Sequence, residues 1–252
     1  MEVSQNMDIL GIIPARWASS RFPGKPLADL NGRPIILRVW DQCLRAGLSR
    51  VVIATDDDRI RTVCEAAGAS VMMTDPQLPS GTDRCAAVAC DARESFVINI
   101  QGDEPFIAPD AIRQVAKLLK DQPDSPIATL ARPESDSERL QSPHLVKVVC
   151  DLSGKALYFS RAWIPYQRDH PIQSWTSNHS YLTHIGLYGF RRQTLLDIAR
   201  LPVAPIEQME QLEQLRWLAN GLSISVGITD YHSLGIDTPE DLDNARMCFE
   251  TK

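Results

Sequence analysis

Residues 9–27 read ILGIIPARWASSRFPGKPL. The run from Ile9 to Ile13 is apolar and stops at Pro14, which is the form of a short strand buried on both faces of a parallel sheet. The loop after it carries three cations, Arg16, Arg21 and Lys25. Pro23, Gly24 and Pro26 keep that loop out of helix and sheet. Open α/β sheets bind ligands in the crevice outside the carboxyl ends of their strands. Three cations fixed there suit a polyanion, above all a phosphate chain. A solvated loop also carries Arg and Lys, but here they are interleaved with Pro and Gly directly after the first strand. The loop is not a P-loop, because Gly24-Lys25 is followed by Pro26 and no hydroxyl follows the lysine. No G-x-G-x-x-G occurs, so nothing supports dinucleotide binding.

Outward from this stretch the chain alternates strand and helix. Asn31-Gly32 marks a turn. Ile36, Val39, Trp40, Cys43 and Leu44 form one helical face, and Gly47 stands where that helix should end. Arg50 to Thr55 reads as a second strand, with Asp56 or Asp57 capping the next helix as far as Gly68. Ser70 to Met73 is a short third strand. SGTDR, residues 80–84, opens a helix whose small residues leave backbone N–H groups open to a ligand, although taken alone an ordinary cap on Ser80 or Thr82 explains it better.

Phe96 to Ile100 is a fourth strand and runs straight into QGDEP, residues 101–105. Acidic residues at the carboxyl end of a buried strand suit Mg²⁺, which takes one or two carboxylates plus phosphate oxygens. The competing reading is a turn in which Asp103 caps the next helix. That helix covers Ala111 to Lys120, and Ile127 to Ala131 follows as a fifth strand. Repeated β-α units of this kind predict an α/β fold with a three-layer, mostly parallel sheet and right-handed crossovers.

The second half breaks the alternation. Leu145–Cys150 and Lys155–Phe159 flank Asp151-Leu152-Ser153-Gly154, a β-hairpin signature. A long stretch rich in Pro, Trp and polar residues follows, of the type that commonly carries function. His184 to Phe190 returns to strand. Pro205 to Asn220 reads as one helix with Met209, Leu212, Leu215 and Leu218 inward, and Ser223 to Ile228 as a late strand. Asp237-Thr238-Pro239 opens the last helix, with Thr238 as cap. Asp237 either favours that helix dipole or serves as a second metal ligand opposite Asp103.

The chain has 252 residues, a net charge of −6 and 44% hydrophobic residues. That is enough for one large α/β domain or two small ones with a full core, and the acidic balance disfavours a nucleic-acid binder. Residues 1–8 lack the pattern of a signal peptide, and no run is long and apolar enough to enter a membrane. The cysteines at 43, 64, 85, 90, 150 and 248 form no C-x-x-C and read as thiols in a reducing compartment, the cytoplasm.

PARWASSRFPGKPL, SGTDR, INIQGDEPFI, ALYFSRAWIP, THIGLYGF, LEQLR and GIDTPEDL follow one another from Ile9 to about Asn244. Together they resemble the 3-deoxy-manno-octulosonate (Kdo) cytidylyltransferase, or CMP-Kdo synthetase, family. The resemblance implies a Rossmann-like nucleotide-diphospho-sugar transferase fold and the reaction CTP + Kdo → CMP-Kdo + pyrophosphate, which supplies lipopolysaccharide biosynthesis. It further implies Mg²⁺ dependence and a homodimer. By the same resemblance Arg16, Arg21 and Lys25 match the triphosphate loop, and Pro14, Ala15, Ser80, Gly81 and Gln101 surround the nucleoside. Asp103 and Asp237 match the metal carboxylates and, with Lys25, the catalytic set. Arg84, Arg161, His184, Tyr188, Glu213 and Gln214 match the sugar-acid pocket. Residues 1–252 are expected to form one nucleotidyltransferase domain, with 9–131 serving mainly CTP and 145–230 mainly the sugar and the dimer contact. Trp17 stands where the family often has Tyr, and Thr183 where Arg commonly precedes the His. The rival readings are the same reaction on 8-amino-Kdo or a sialic acid, and a non-catalytic nucleotide-binding protein. That last would be expected to have lost Lys25, Asp103 or Asp237.

Overall fold

A computed structural model describes residues 7–18, 21–232 and 234–250. Ser19 and Ser20 of the cationic loop, most of the amino-terminal segment read for a leader, and the side chain of Cys248 lie outside the described residues.

The elements follow the apolar runs closely. They are β1 (Met7–Ala15), α1 (Ile35–Arg45), β2 (Leu48–Thr55), α2 (Asp58–Ala66), β3 (Ser70–Met73), α3 (Gly81–Ala89), β4 (Phe96–Asn99), α4 (Pro109–Asp121) and β5 (Ile127–Glu134). Then come α5 (Ser137–Gln141), β6 (Lys147–Cys150), β7 (Ala156–Ser160), α6 (Trp175–Asn178), β8 (Tyr181–Arg191), α7 (Arg192–Ile198), α8 (Pro205–Glu210), α9 (Gln214–Ala219), β9 (Ile224–Ile228) and α10 (Pro239–Glu250). Asp57 accepts the Arg59 N–H and caps α2, and Ser80 accepts the Asp83 N–H and caps α3. Asn31 and Gly32 both have positive φ, the form of a tight turn of the type Asn-Gly favours.

One sheet runs through both halves in the order β3-β2-β1-β4-β8-β5-β9, with β6 and β7 joined to it through β8. Pairings β1–β2, β2–β3, β1–β4 and β5–β9 are parallel. β8 runs antiparallel to β4, β5 and β6, and β7 runs antiparallel to β6, so the sheet is mixed. After β3 the chain crosses to the far side of β1 to place β4. The switch point therefore lies between β1 and β4, where a doubly wound sheet opens its ligand crevice.

Alternate residues of β1 feed two cores. Ile9 and Ile13 pack with α1 and α4, whereas Leu10 and Ile12 pack with α3 and, further along the sheet, with α7 and α9. This gives the three layers expected. A smaller cluster of Leu30, Ile35, Ile236, Leu242 and Ala245 docks the start of α10 against the loop that follows the cationic stretch. That docking carries Asp237 back to the first strand.

The single helix expected over residues 205–220 is two. Gln211 takes a left-handed backbone conformation with φ 53, ending α8, and α9 starts in a new direction. Leu212 and Leu215 are buried, but Met209 is 83% exposed, because the break removes it from the inward face.

Candidate functional site

The carboxyl ends of β1 and β4 frame a cleft of about 340 Å³ lined by Pro14, Ala15, Arg16, Ala18, Arg21, Lys25, Pro26, Gly81, Gln101, Gly102 and Asp103. The loop cations, the SGTDR helix start and QGD thus converge from three separate parts of the chain. Gly102 has no alternative in this packing, since a Cβ there would stand 2.7 Å from the carbonyl oxygen of Pro14. Gly81 packs against the Pro14 ring from the other side.

Lys25 Nζ donates to Asp103 Oδ2 at 2.7 Å and to Asp237 Oδ1 at 3.2 Å, and Arg21 approaches the same Asp237 oxygen at 3.2 Å. Asp237 is therefore placed opposite Asp103, as one of its two sequence readings required. The Ile236 N–H donates to the carbonyl of Asp103 and ties the two segments together, while Asp241 Oδ2 accepts the N–H groups of Asp237 and Thr238. Glu104 turns away from the cleft. It is buried and accepts from the Tyr231 hydroxyl, so only Asp103 of the acidic pair faces the cations.

Two carboxylates bridged by one ammonium present hard oxygen donors to a cation, which is the donor chemistry of a Mg²⁺ site completed by phosphate oxygens. Among the described residues no group of three or more His, Cys, Asp or Glu could hold a metal by itself.

Ser80 connects the cleft to Glu213. Its hydroxyl lies 2.6 Å from Asp83 Oδ2 and 2.7 Å from Glu213 Oε1, and Thr82 donates to Glu213 Oε2. One hydroxyl hydrogen serves only one of those carboxyls. Burial raises the Glu213 pKa, which suits a proton on Glu213 for the second contact.

A second cavity of about 310 Å³ adjoins the first, with Arg132, Arg139, His144, Thr183, His184 and His232 on its wall. Gly186 lines it, and a Cβ on Gly186 would touch the Gln101 side chain of the main cleft. Thr129 Oγ1 lies 2.9 Å from the Leu187 carbonyl and 2.9 Å from His184 Nε2. With its hydrogen committed to the carbonyl, the hydroxyl accepts from Nε2 and leaves Nδ1 of His184 as an acceptor. Burial depresses the His184 pKa to about 3, so the imidazole is neutral at pH 7. Tyr188 packs between His184 and Trp217, and its buried hydroxyl has no hydrogen-bond partner among the described residues.

The two arginines matched to the sugar acid are engaged by the protein itself. Arg84 is fully buried, pairs with Asp56 at 2.8 Å and donates to Thr74, so it does not face the cleft. Arg161 donates to the backbone carbonyls of Glu210, Pro143 and Gln211. Gln214 is buried at the start of α9. Sequence reasoning missed the second cavity's cations. Arg132 and Arg139 sit in unremarkable stretches and become neighbours only through Glu134, which both contact. It also missed Lys147, a fully buried lysine that donates to the carbonyls of Ser142, Leu145 and Arg161 and pins the segment beside that cavity.

The sequence model of the cytidylyltransferase family matches residues 10–224. A 3-deoxy-manno-octulosonate cytidylyltransferase of Parabacteroides distasonis is 46% identical over 245 residues, covering 95% of this chain and 97% of that one. The enzyme of the same name from Bacteroides thetaiotaomicron is 47% identical over 252 residues, covering 98% and 100%. A solved CMP:2-keto-3-deoxy-manno-octonic acid synthetase complexed with CTP superposes with a TM-score of 0.90 at 38% identity, covering 96% of this chain and 98% of the other. HddC from Yersinia pseudotuberculosis, at 16% identity and a TM-score of 0.64, shares the fold.

Proposed function

The chain belongs to the cytidylyltransferase family, and from that premise we propose that it transfers the CMP unit of CTP to Kdo and releases pyrophosphate. The observation that carries this reading is the meeting of the loop cations with Asp103 and Asp237 at the sheet's switch point. It is joined to a match, along nearly the whole chain, with enzymes named for this activity.

In this reading Arg16, Arg21 and Lys25 hold the triphosphate. Pro14, Ala15, Ser80, Gly81 and Gln101 border the nucleoside. The anomeric hydroxyl of the sugar forms a new bond to the α-phosphorus, the bond from that phosphorus to the β-phosphate oxygen breaks, and the hydroxyl proton passes to water. Phosphoryl transfer of this kind depends on positioning and charge neutralisation. Lys25 exchanges its carboxylate partners for phosphate oxygens and stabilises charge on the departing pyrophosphate. Asp103 and Asp237 would hold Mg²⁺, which when bound acts as Lewis acid and template and lowers the pKa of the attacking hydroxyl.

The acid sugar takes the second cavity. Arg132 and Arg139 share the single carboxylate of Glu134 and so leave that cavity one net positive charge for a sugar carboxylate, and neutral His184 accepts from a sugar hydroxyl through Nδ1. Arg84, buried on Asp56, braces α3 and the Ser80–Gly81 corner. We further propose a homodimer built on the β6–β7 hairpin and the segment after it, where Leu157, Tyr158, Tyr166 and Ile172 are exposed. A cytoplasmic place in lipopolysaccharide biosynthesis follows from the reaction, and the five described cysteines, all unpaired, agree with a reducing compartment. No helix among the described residues is long and apolar enough to cross a membrane.

The test is pyrophosphate release with Mg²⁺ over a grid of four nucleoside triphosphates and several acid sugars. Release with CTP and Kdo is expected. Release with CTP and only 8-amino-Kdo or a sialic acid would reassign the second cavity, and silence from folded protein would favour a nucleotide-binding protein without catalysis.

A further inference from the structure

The cationic loop is held from outside the cleft by a side chain of α2. Arg16 and Ala18 line the cleft and Trp17 between them does not. Its ring instead packs beneath Gly24, where a Cβ would stand 3.0 Å from two ring carbons. Gly24 has φ 73, a conformation few side-chain-bearing residues adopt, and its N–H donates to the Trp17 carbonyl at 3.1 Å. Both contacts fix the residue directly before Lys25. On the ring lies the guanidinium of Arg59, 3.4 Å from the ring centroid. Asp57 fixes that guanidinium in a two-pronged pair, with Nε at 2.9 Å from Oδ1 and an Nη at 2.7 Å from Oδ2. The pair raises the Arg59 pKa, although a guanidinium is charged at any working pH.

We propose that Arg59, oriented by Asp57, is a positioning residue for the nucleotide. It clamps Trp17 under Gly24 and so sets where Lys25 and the loop arginines meet the triphosphate. Arg59 does not line the cleft and takes no part in the chemistry. The contact is a planar cation on an aromatic face, which lysine reproduces only in part, because lysine lacks the fork that Asp57 holds. An exposed ion pair alone contributes little, so the effect is expected in the loop's readiness to bind rather than in global stability. This inference rests on the reading of the cleft as a CTP site.

The experiment is steady-state kinetics of Arg59→Ala, Arg59→Lys, Asp57→Asn and Trp17→Ala, with the double variant Trp17→Ala/Arg59→Ala and a thermal melt of each. Asp57→Asn keeps a good helix cap while removing the ionic fork. Arg59→Ala should raise KM for CTP about two- to fivefold, the range a surface cation–π contact supports. KM for Kdo, kcat and the melting point should hardly change. Arg59→Lys and Asp57→Asn should fall between, and Arg59→Ala should have no further effect once Trp17 is alanine. The proposal is overturned if folded Arg59→Ala keeps its KM for CTP, if both KM values rise together, or if the double variant is additive. Absence of CTP-dependent pyrophosphate release in the unmutated protein would instead refute the underlying site reading.

Discussion

Replacing Lys25 by Met should have opposite effects on metal and nucleotide. The Lys25 side chain is only 12% exposed, and its ammonium is shared between Asp103 and Asp237, whose side chains are 32% and 48% exposed. Methionine keeps the length and removes the charge. Among the described residues, Arg21, itself 65% exposed, is then the cation left paired with Asp237. A hydrogen bond to a charged group contributes about 1.5–3 kcal/mol, and the partial exposure of the carboxylates argues for the lower end. Lys25 therefore opposes a divalent ion by about 1–2 kcal/mol, so the variant should bind Mn²⁺ roughly five- to thirtyfold more tightly in the absence of nucleotide. The same variant loses a phosphate-binding cation, and its KM for CTP should rise about ten- to a hundredfold while kcat also falls. Electron paramagnetic resonance titration of Mn²⁺ against nucleotide-free protein reads the first effect, and initial rates read the second. Unchanged or weaker Mn²⁺ binding in a folded Lys25→Met variant would refute the shared-cation argument.

Asp103→Asn should lower kcat about a hundredfold or more with a much smaller change in KM for CTP, and near-normal turnover would remove Asp103 from the chemistry. Arg84→Ala should act mainly on stability. It strands Asp56 beside a cavity, a loss of about 3–5 kcal/mol in denaturant unfolding, whereas an effect confined to KM for the sugar would contradict the buried placement. His184 is held neutral by burial, with a folded pKa of about 3 against the ordinary 6.5. Below pH 6.5 the unfolded chain gains a proton there that the native state refuses, so native stability should fall as pH drops towards 3 and be independent of this group above 6.5. His184→Gln should flatten that acid limb by up to about 1.4 kcal/mol per pH unit, and an unchanged limb would mean the imidazole takes up its proton in the folded state.

Much of the fold was legible because it rests on local signals. Buried parallel strands leave unbroken apolar runs such as Phe96 to Ile100, and caps such as Asp57 and Ser80 occupy the positions that propensity assigns them. The cationic loop was legible for the same reason, since its cations and its Pro and Gly residues are contiguous. Asp237 lies 134 positions from Asp103 in the sequence and reaches it through the packing of Leu242 and Ala245 on Leu30 and Ile35, which no local pattern encodes. The break at Gln211 was hidden because a single left-handed residue leaves the apolar spacing on either side intact. Arg84 illustrates a different limit. The family resemblance assigns it to the sugar pocket, but burial decides whether a cation meets a ligand or a neighbouring carboxylate, and burial depends on Asp56 and Thr74 arriving from the ends of β2 and β3.

In the proposed reaction this cleft brings the α-phosphorus of CTP to the hydroxyl of an acid sugar. Phosphorus-31 NMR of the purified protein with Mg²⁺, CTP and Kdo tests it most directly. The three CTP resonances should decay together while pyrophosphate and one new phosphodiester resonance grow in equal molar amounts. Release of orthophosphate with CDP left behind, or decay of CTP at the same rate without the sugar, would contradict it.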